Sequence, residues 1–123
     1  MPTNNQITRN FSEAEFACKC GCGLQNIDIG LVKDLQETRS DYGCAMTVVS
    51  GLRCPTWNKA CGGSKNSSHL TGLAVDIYMD DSVLRHRLIR TILEKGWMRI
   101  GISKAFVHLD IDYAKTNPVI WTY

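Results

Sequence analysis

No stretch of this chain approaches the roughly 18 consecutive apolar residues that a membrane-spanning helix needs, so no such span is expected. A charge of one sign is also missing. Fourteen Lys+Arg against twelve Asp+Glu leave a net +2, and no basic block concentrates it. Nucleic acid and membrane surfaces are therefore not expected as partners. The start, Met1-Pro2-Thr3-Asn4-Asn5-Gln6, lacks the apolar core of a secretion signal. That predicts a chain that is cytoplasmic when made, unless a leader has been removed. There is no internal repeat and no low-complexity segment. What remains is the balance of an ordinary globular protein, 44% hydrophobic and 21% charged over 123 residues. It excludes a disordered chain and gives the size of a single domain, 1–123, for which a monomer is expected.

Cysteine is the residue in excess. Six are present, three of them packed as Cys18-Lys19-Cys20-Gly21-Cys22-Gly23, the others at Cys44, Cys54 and Cys61. Buried free thiols, disulfides and a structural metal all stay open. The missing signal favours free thiols. Spacings of one residue differ from the two to four usual in zinc knuckles. Cys54 and Cys61 flank a turn after Pro55 and could bridge, although nothing requires it. No cysteine is expected to touch a catalytic metal.

The periodicities alternate between helix and strand. Phe11-Ser12-Glu13-Ala14-Glu15-Phe16 reads as a helix start with a capping box, Ser12 to Glu15, inside a Phe11/Phe16 staple. Ile27, Leu31 and Leu35 recur at four-residue steps, predicting a helix from about Asp28 to Tyr42 that Gly43 ends. Met46–Ser50 and Leu73–Tyr78 read as strands. Leu84, Leu88 and Ile92 mark a helix over Val83–Lys95. Trp97–Ile102 and Phe106–Asp112 read as a hairpin, and Pro118–Tyr123 as a short edge strand. This order predicts an α+β fold, a small antiparallel sheet with helices packed on one side.

Only three histidines are available for acid–base or metal chemistry: His69, His86 and His108. His86 lies between Arg85 and Arg87, off the apolar stripe of its helix, and reads as a solvated residue. His69 sits at the mouth of a strand. Asp76, seven residues on, stands between Val75 and Ile77, where a carboxylate is expensive unless it faces solvent, is paired or binds a metal. In Phe106-Val107-His108-Leu109-Asp110-Ile111-Asp112 the period is two: Val107, Leu109 and Ile111 face one way, and His108, Asp110 and Asp112 the other. Two histidines and an aspartate match the three-ligand, open site of a catalytic zinc enzyme. Spacing alone favours an ordinary wet strand face over such a site.

Ser67-Ser68-His69-Leu70-Thr71-Gly72-Leu73-Ala74-Val75-Asp76 resembles the Ser-x-His-x-x-Gly-x-Ala-x-Asp signature of the zinc D-Ala-D-Ala carboxypeptidase family. Phage endolysins of the L-alanyl-D-glutamate peptidase type and the hedgehog domain are relatives. Ser50-Gly51-Leu52-Arg53, Gly62-Gly63-Ser64 and the pair Arg99–Ile102 and Phe106–Asp110 extend the likeness over most of the chain. The resemblance implies a zinc metallopeptidase that cuts peptidoglycan stem peptides with a zinc-activated water. It implies His69, Asp76 and His108 as zinc ligands. Arg53 would meet a substrate carboxylate or an oxyanion, and Ser67 the substrate or the metal loop. The action would be at the bacterial cell wall.

One departure stands out. The family places its acidic base a few residues before the last histidine, but Ile102-Ser103-Lys104-Ala105-Phe106-Val107 holds no acid. Asp110, two residues after His108 on the same face, is the expected substitute, either as general base or as a support for the imidazole. The alternatives are a catalytically silent zinc domain that binds peptidoglycan or a protein partner, and a disulfide-stapled binding module without metal.

Overall fold

The computed structural model describes residues 4–123. Ser12 and Glu15 form the reciprocal capping box that opens α1, Glu13–Phe16. The second helix, α2, covers Ile29–Tyr42; the Asp28 carboxylate accepts from the Leu31 amide at its start, and Gly43 closes it in the left-handed conformation. Then follow β1 (Val48–Ser50), α3 (Pro55–Ala60), a 3-10 turn over Ser68–Thr71, β2 (Ala74–Tyr78), α4 (Ser82–Glu94), β3 (Arg99–Ile102), β4 (Phe106–Asp110) and β5 (Val119–Thr122). No helix among the described residues is long and apolar enough to cross a membrane.

The strands form one five-stranded sheet in the order β1-β2-β4-β3-β5. The first three contacts are antiparallel, as the hairpin pattern predicts. The last is not: β5 lies parallel to β3, which makes the sheet mixed. Residues 111–118 carry the chain back so that it enters the edge in the direction of β3, a choice that strand periodicity does not encode. Period-two alternation sorts the faces. Val75, Ile77, Val107, Leu109 and Ile100 enter one apolar core with Leu31, Val32 and Leu35 of α2 and Leu88 and Ile92 of α4. That burial drives the fold. It leaves the alternate residues of β2 and β4 on the face opposite these two helices.

The register fixes what that face displays. Ser50 pairs with Asp76, Asp76 with His108, His108 with Gly101 and Gly101 with Trp121, so one row crosses all five strands. A slip of one residue between β2 and β4 would break the row and turn one strand's polar residues into the core. Gly101 is small for a reason. A Cβ there would come 2.7 Å from Trp121 Nε1, whereas its absence lets the indole lean over to His108, with ring centroids 5.2 Å apart.

Candidate metal centre

Three elements deliver the predicted ligands. β2 and β4 supply Asp76 and His108 as direct cross-strand partners. The 3-10 turn supplies His69. Ser67 opens that turn, its hydroxyl oxygen accepting from the His69 backbone N–H at 3.2 Å, and Gly72 closes it in the left-handed conformation. One nitrogen or oxygen from each of His69, Asp76 and His108 lies within 4.8 Å of the others, and all three residues are buried. The structure thus brings together the set that the sequence singles out. His86 is exposed on α4, where it lines a different groove.

The orientation of each ring is set by its far nitrogen. His69 Nδ1–H donates to the Gly51 carbonyl at 2.7 Å, so Nε2 is the nitrogen turned to Asp76 Oδ2, at 3.3 Å. His108 Nε2–H donates to Asp110 Oδ2 at 2.7 Å, so Nδ1 is turned to Asp76 Oδ1, at 2.9 Å. The backbone carbonyl fixes the His69 tautomer, Asp110 aims the His108 ring from behind, and the remaining nitrogens converge on the anionic Asp76. Second partners of this kind are the usual accompaniment of metal-bound histidines. The donor set fits zinc, which takes imidazole and carboxylate ligands together.

The electrostatics agree. Taking a carboxylate out of water costs on the order of several kcal/mol. Burial pushes the Asp76 carboxyl up, but hydrogen bonds and charge from His108 and His69 outweigh it and hold the group at about 2. Burial likewise opposes a charged His108, yet Asp110 and Asp76 raise its pKa above the ordinary imidazole value. Metal binding at His108 Nδ1 would require that nitrogen to be free of a proton, which couples the site to pH.

Arg53 also belongs to the site. Its Nε–H donates to Ser50 Oγ at 3.0 Å, Nη1 to Asn58 Oδ1 at 3.2 Å and Nη2 to Asp76 Oδ2 at 3.4 Å. Asp110, by contrast, stands behind His108. It is buried, with Oδ2 on the imidazole and Oδ1 accepting from Arg99 Nε–H at 2.7 Å and from the Asp112 amide at 3.1 Å. Burial raises its pKa, but His108 and Arg99 outweigh that and lower it below the usual carboxylate range. A cavity of ≈ 590 Å³ opens onto this row, lined in part by Arg53, Ser67, His69, Asp76, His108 and Trp121.

Several supports escaped the sequence reading. Ser68 donates to Asp112 Oδ2 at 2.8 Å and accepts from Lys115 Nζ at 2.8 Å, which ties the His69 turn to the end of β4. Trp121 forms a wall against His108, and Arg99 stacks over its ring at 5.1 Å. The Gly51 carbonyl that orients His69 carries no side-chain signal. The row Ser68, Asp112 and Lys115 had one: Asp112 shares the His108 face.

A comparison with protein families matches residues 9–110 to the family described as Peptidase M15. A comparison with curated proteins found no match.

Proposed function

The chain belongs to the peptidase M15 family, a family of zinc metallopeptidases, and from that premise we propose that it hydrolyses peptide bonds in bacterial peptidoglycan stem peptides. The observation that carries this reading is the convergence of His69 Nε2, an Asp76 oxygen and His108 Nδ1 at the floor of an open cleft. His69, Asp76 and His108 would hold the zinc. When bound, it supplies a Lewis acid for the scissile carbonyl and lowers the pKa of a water toward neutrality.

The chain's own groups do the rest. Arg53, Arg99 and Lys115 line the cleft, each paired with an aspartate (Asp76, Asp110 and Asp112 in turn), and offer N–H donors to a peptide bearing free carboxylates. Arg53 is held at three nitrogens, so its charge is fixed in place before substrate arrives. Ser67 keeps the His69 turn closed. Trp121 and Phe106 supply apolar walls. Activity in the wall requires the protein to reach it, by whatever route.

The role of Asp110 divides. A base must accept a proton within hydrogen-bond reach of the attacking water, and a low pKa weakens it for that task. Both Asp110 oxygens are engaged, one by His108 and one by Arg99 and the Asp112 amide. This favours a positioning role over the general-base role expected from the sequence. Asp110→Asn then places an amide N–H against either His108 or Arg99. Zinc affinity is expected to fall by about 10–100-fold, with turnover recovering at saturating zinc. A loss of about 10²–10⁴-fold that persists at saturating zinc identifies Asp110 as the base instead. Zinc titration followed by single-substrate kinetics separates the two.

The same observation favours a second reading, a zinc domain that binds wall peptides without cutting them. Apart from Asp76 and Asp110, no carboxylate lines the cleft among the described residues. Mass spectrometry of purified muropeptides, incubated with and without a chelator, decides between them. New stem-peptide fragments that disappear with chelator support hydrolysis. Unchanged muropeptides that nevertheless co-sediment with the protein support silent binding.

A further inference from the structure

We infer that Cys18, Cys20, Cys22 and Cys54 form a second metal site, a structural zinc centre of four thiolates separate from the histidine site. Their four sulfurs all lie within 4.8 Å of one another, although Cys54 is 32 residues from the nearest of the other three in sequence. The distances select a cation over a disulfide. Cys18 Sγ and Cys20 Sγ are 3.4 Å apart, and Cys20 Sγ and Cys54 Sγ 3.7 Å. A disulfide needs about 2.05 Å. Zinc–sulfur bonds of about 2.3 Å in a tetrahedron put neighbouring sulfurs about 3.8 Å apart. All six cysteines are free thiols in this structure, and Cys54 turns to Cys20 and not to Cys61.

The backbone is arranged for that cluster. Alternate residues of an extended strand point to opposite sides, so a Cys-x-Cys-x-Cys run gathers its sulfurs only where the chain curls. Here the Gly21 amide donates to the Cys18 carbonyl at 3.3 Å, and Gly21 sits at φ +84°, a conformation that a residue with a Cβ rarely takes. The Cys18 amide in turn bonds the Leu24 carbonyl at 2.8 Å and closes the loop. Two further amides point at sulfur. The Cys54 N–H donates to Cys18 Sγ and the Trp57 N–H to Cys54 Sγ, each at 3.4 Å. Such bonds stabilise thiolate over thiol, which is the form a metal takes. A set of four thiolates with no carboxylate or imidazole among them is a donor set of structural zinc, and four protein ligands would leave no open position for substrate.

The site has a consequence for the catalytic one. Leu52 N–H donates to the Phe16 carbonyl at 2.9 Å, and Arg53 N–H to the His69 carbonyl at 3.0 Å. Cys54 follows directly. A cation at the cluster ties the segment carrying Gly51 and Arg53, which orient His69 and Asp76, to the loop after α1. The inference does not depend on hydrolysis.

The test is metal content of the full chain purified under reducing conditions. The wild-type protein is expected to carry two zinc equivalents, and His108→Ala one. Cobalt substituted into His108→Ala should show the intense near-ultraviolet thiolate-to-cobalt charge-transfer absorption and the strong visible bands of a tetrahedral site. Cys20→Ser is expected to lose one equivalent and that absorption while the histidine site still loads. Should Cys20→Ser fail to fold, the His108→Ala measurement stands alone. A His108→Ala protein without zinc, cobalt without the thiolate band, or a Cys20–Cys54 disulfide found by mapping in the reduced-purified protein would each overturn the site.

Discussion

Replacing His108 by alanine is expected to remove one equivalent of zinc and to abolish hydrolysis, whereas His86→Ala should change neither. His108 is one of three converging donors, and its ring is aimed by Asp110 from behind. Losing a partner that merely orients a ligand costs about 10–100-fold in metal affinity. Losing the ligand itself removes a bond to the ion, so the deficit should exceed that range. The substitution also strands its neighbours. Asp76 keeps only His69 and Arg53, and the Asp110 oxygen that accepted from His108 loses its donor. His86 is exposed, and its helix α4 supplies no residue to the cleft, so it controls for the loss of an imidazole as such. Elemental analysis after equilibration at a fixed free-zinc concentration, with circular dichroism to confirm folding, provides the measurement. Equal zinc in the two variants would show that His108 is not a ligand.

The converging residues of the candidate metal centre were legible in the sequence because strand chemistry has a short period. Val107 and Leu109 could only enter the core if His108 and Asp110 faced away from it, and the β4 pattern says so without a structure. The Asp76 carboxylate between Val75 and Ile77 was the same signal on β2. The resemblance to zinc carboxypeptidases then joined these residues to His69. What period two does not contain is register. Asp76 meets His108 because β2 and β4 pair at that offset, and Trp121 reaches His108 because Gly101 between them has no side chain. The direction of β5 was hidden for a similar reason, since a short apolar strand reads alike in either direction.

The two remaining surprises have separate causes. The shared face of Asp110 and His108 was correct, but face alone does not say which way a carboxylate turns. Arg99 on the neighbouring strand decides that, by drawing one oxygen of Asp110 to itself at 2.7 Å. The clustering of four cysteines was not legible because spacing alone does not show where a chain curls. The curl at Gly21 brings together three sulfurs that an extended backbone would separate, and Cys54 arrives from a segment fixed by contacts to Phe16 and His69.

Arg53→Ala is expected to lower kcat/KM by about 10²–10³-fold at saturating zinc, the usual worth of a fixed donor aimed at developing charge. The guanidinium lines the cleft beside His69, Asp76 and His108, with its side chain 13% exposed. Ser50, Asn58 and Asp76 each take one of its three nitrogens, and the one carboxylate among them, at 3.4 Å, is shared with His69 and His108. That leaves its field available to an anionic substrate group. Arg53→Lys keeps the charge but cannot span Ser50, Asn58 and Asp76 together, so it should restore only part of the loss. The kinetic parameter that moves reports the target. If Arg53 grips a terminal carboxylate, KM rises, and peptides ending in an amide show no difference between wild type and variant. If it meets the oxyanion, kcat falls for both kinds of peptide. A variant with wild-type turnover once zinc saturates would mean that Arg53 serves only to steady Asp76, and would remove it from the list of groups that touch substrate.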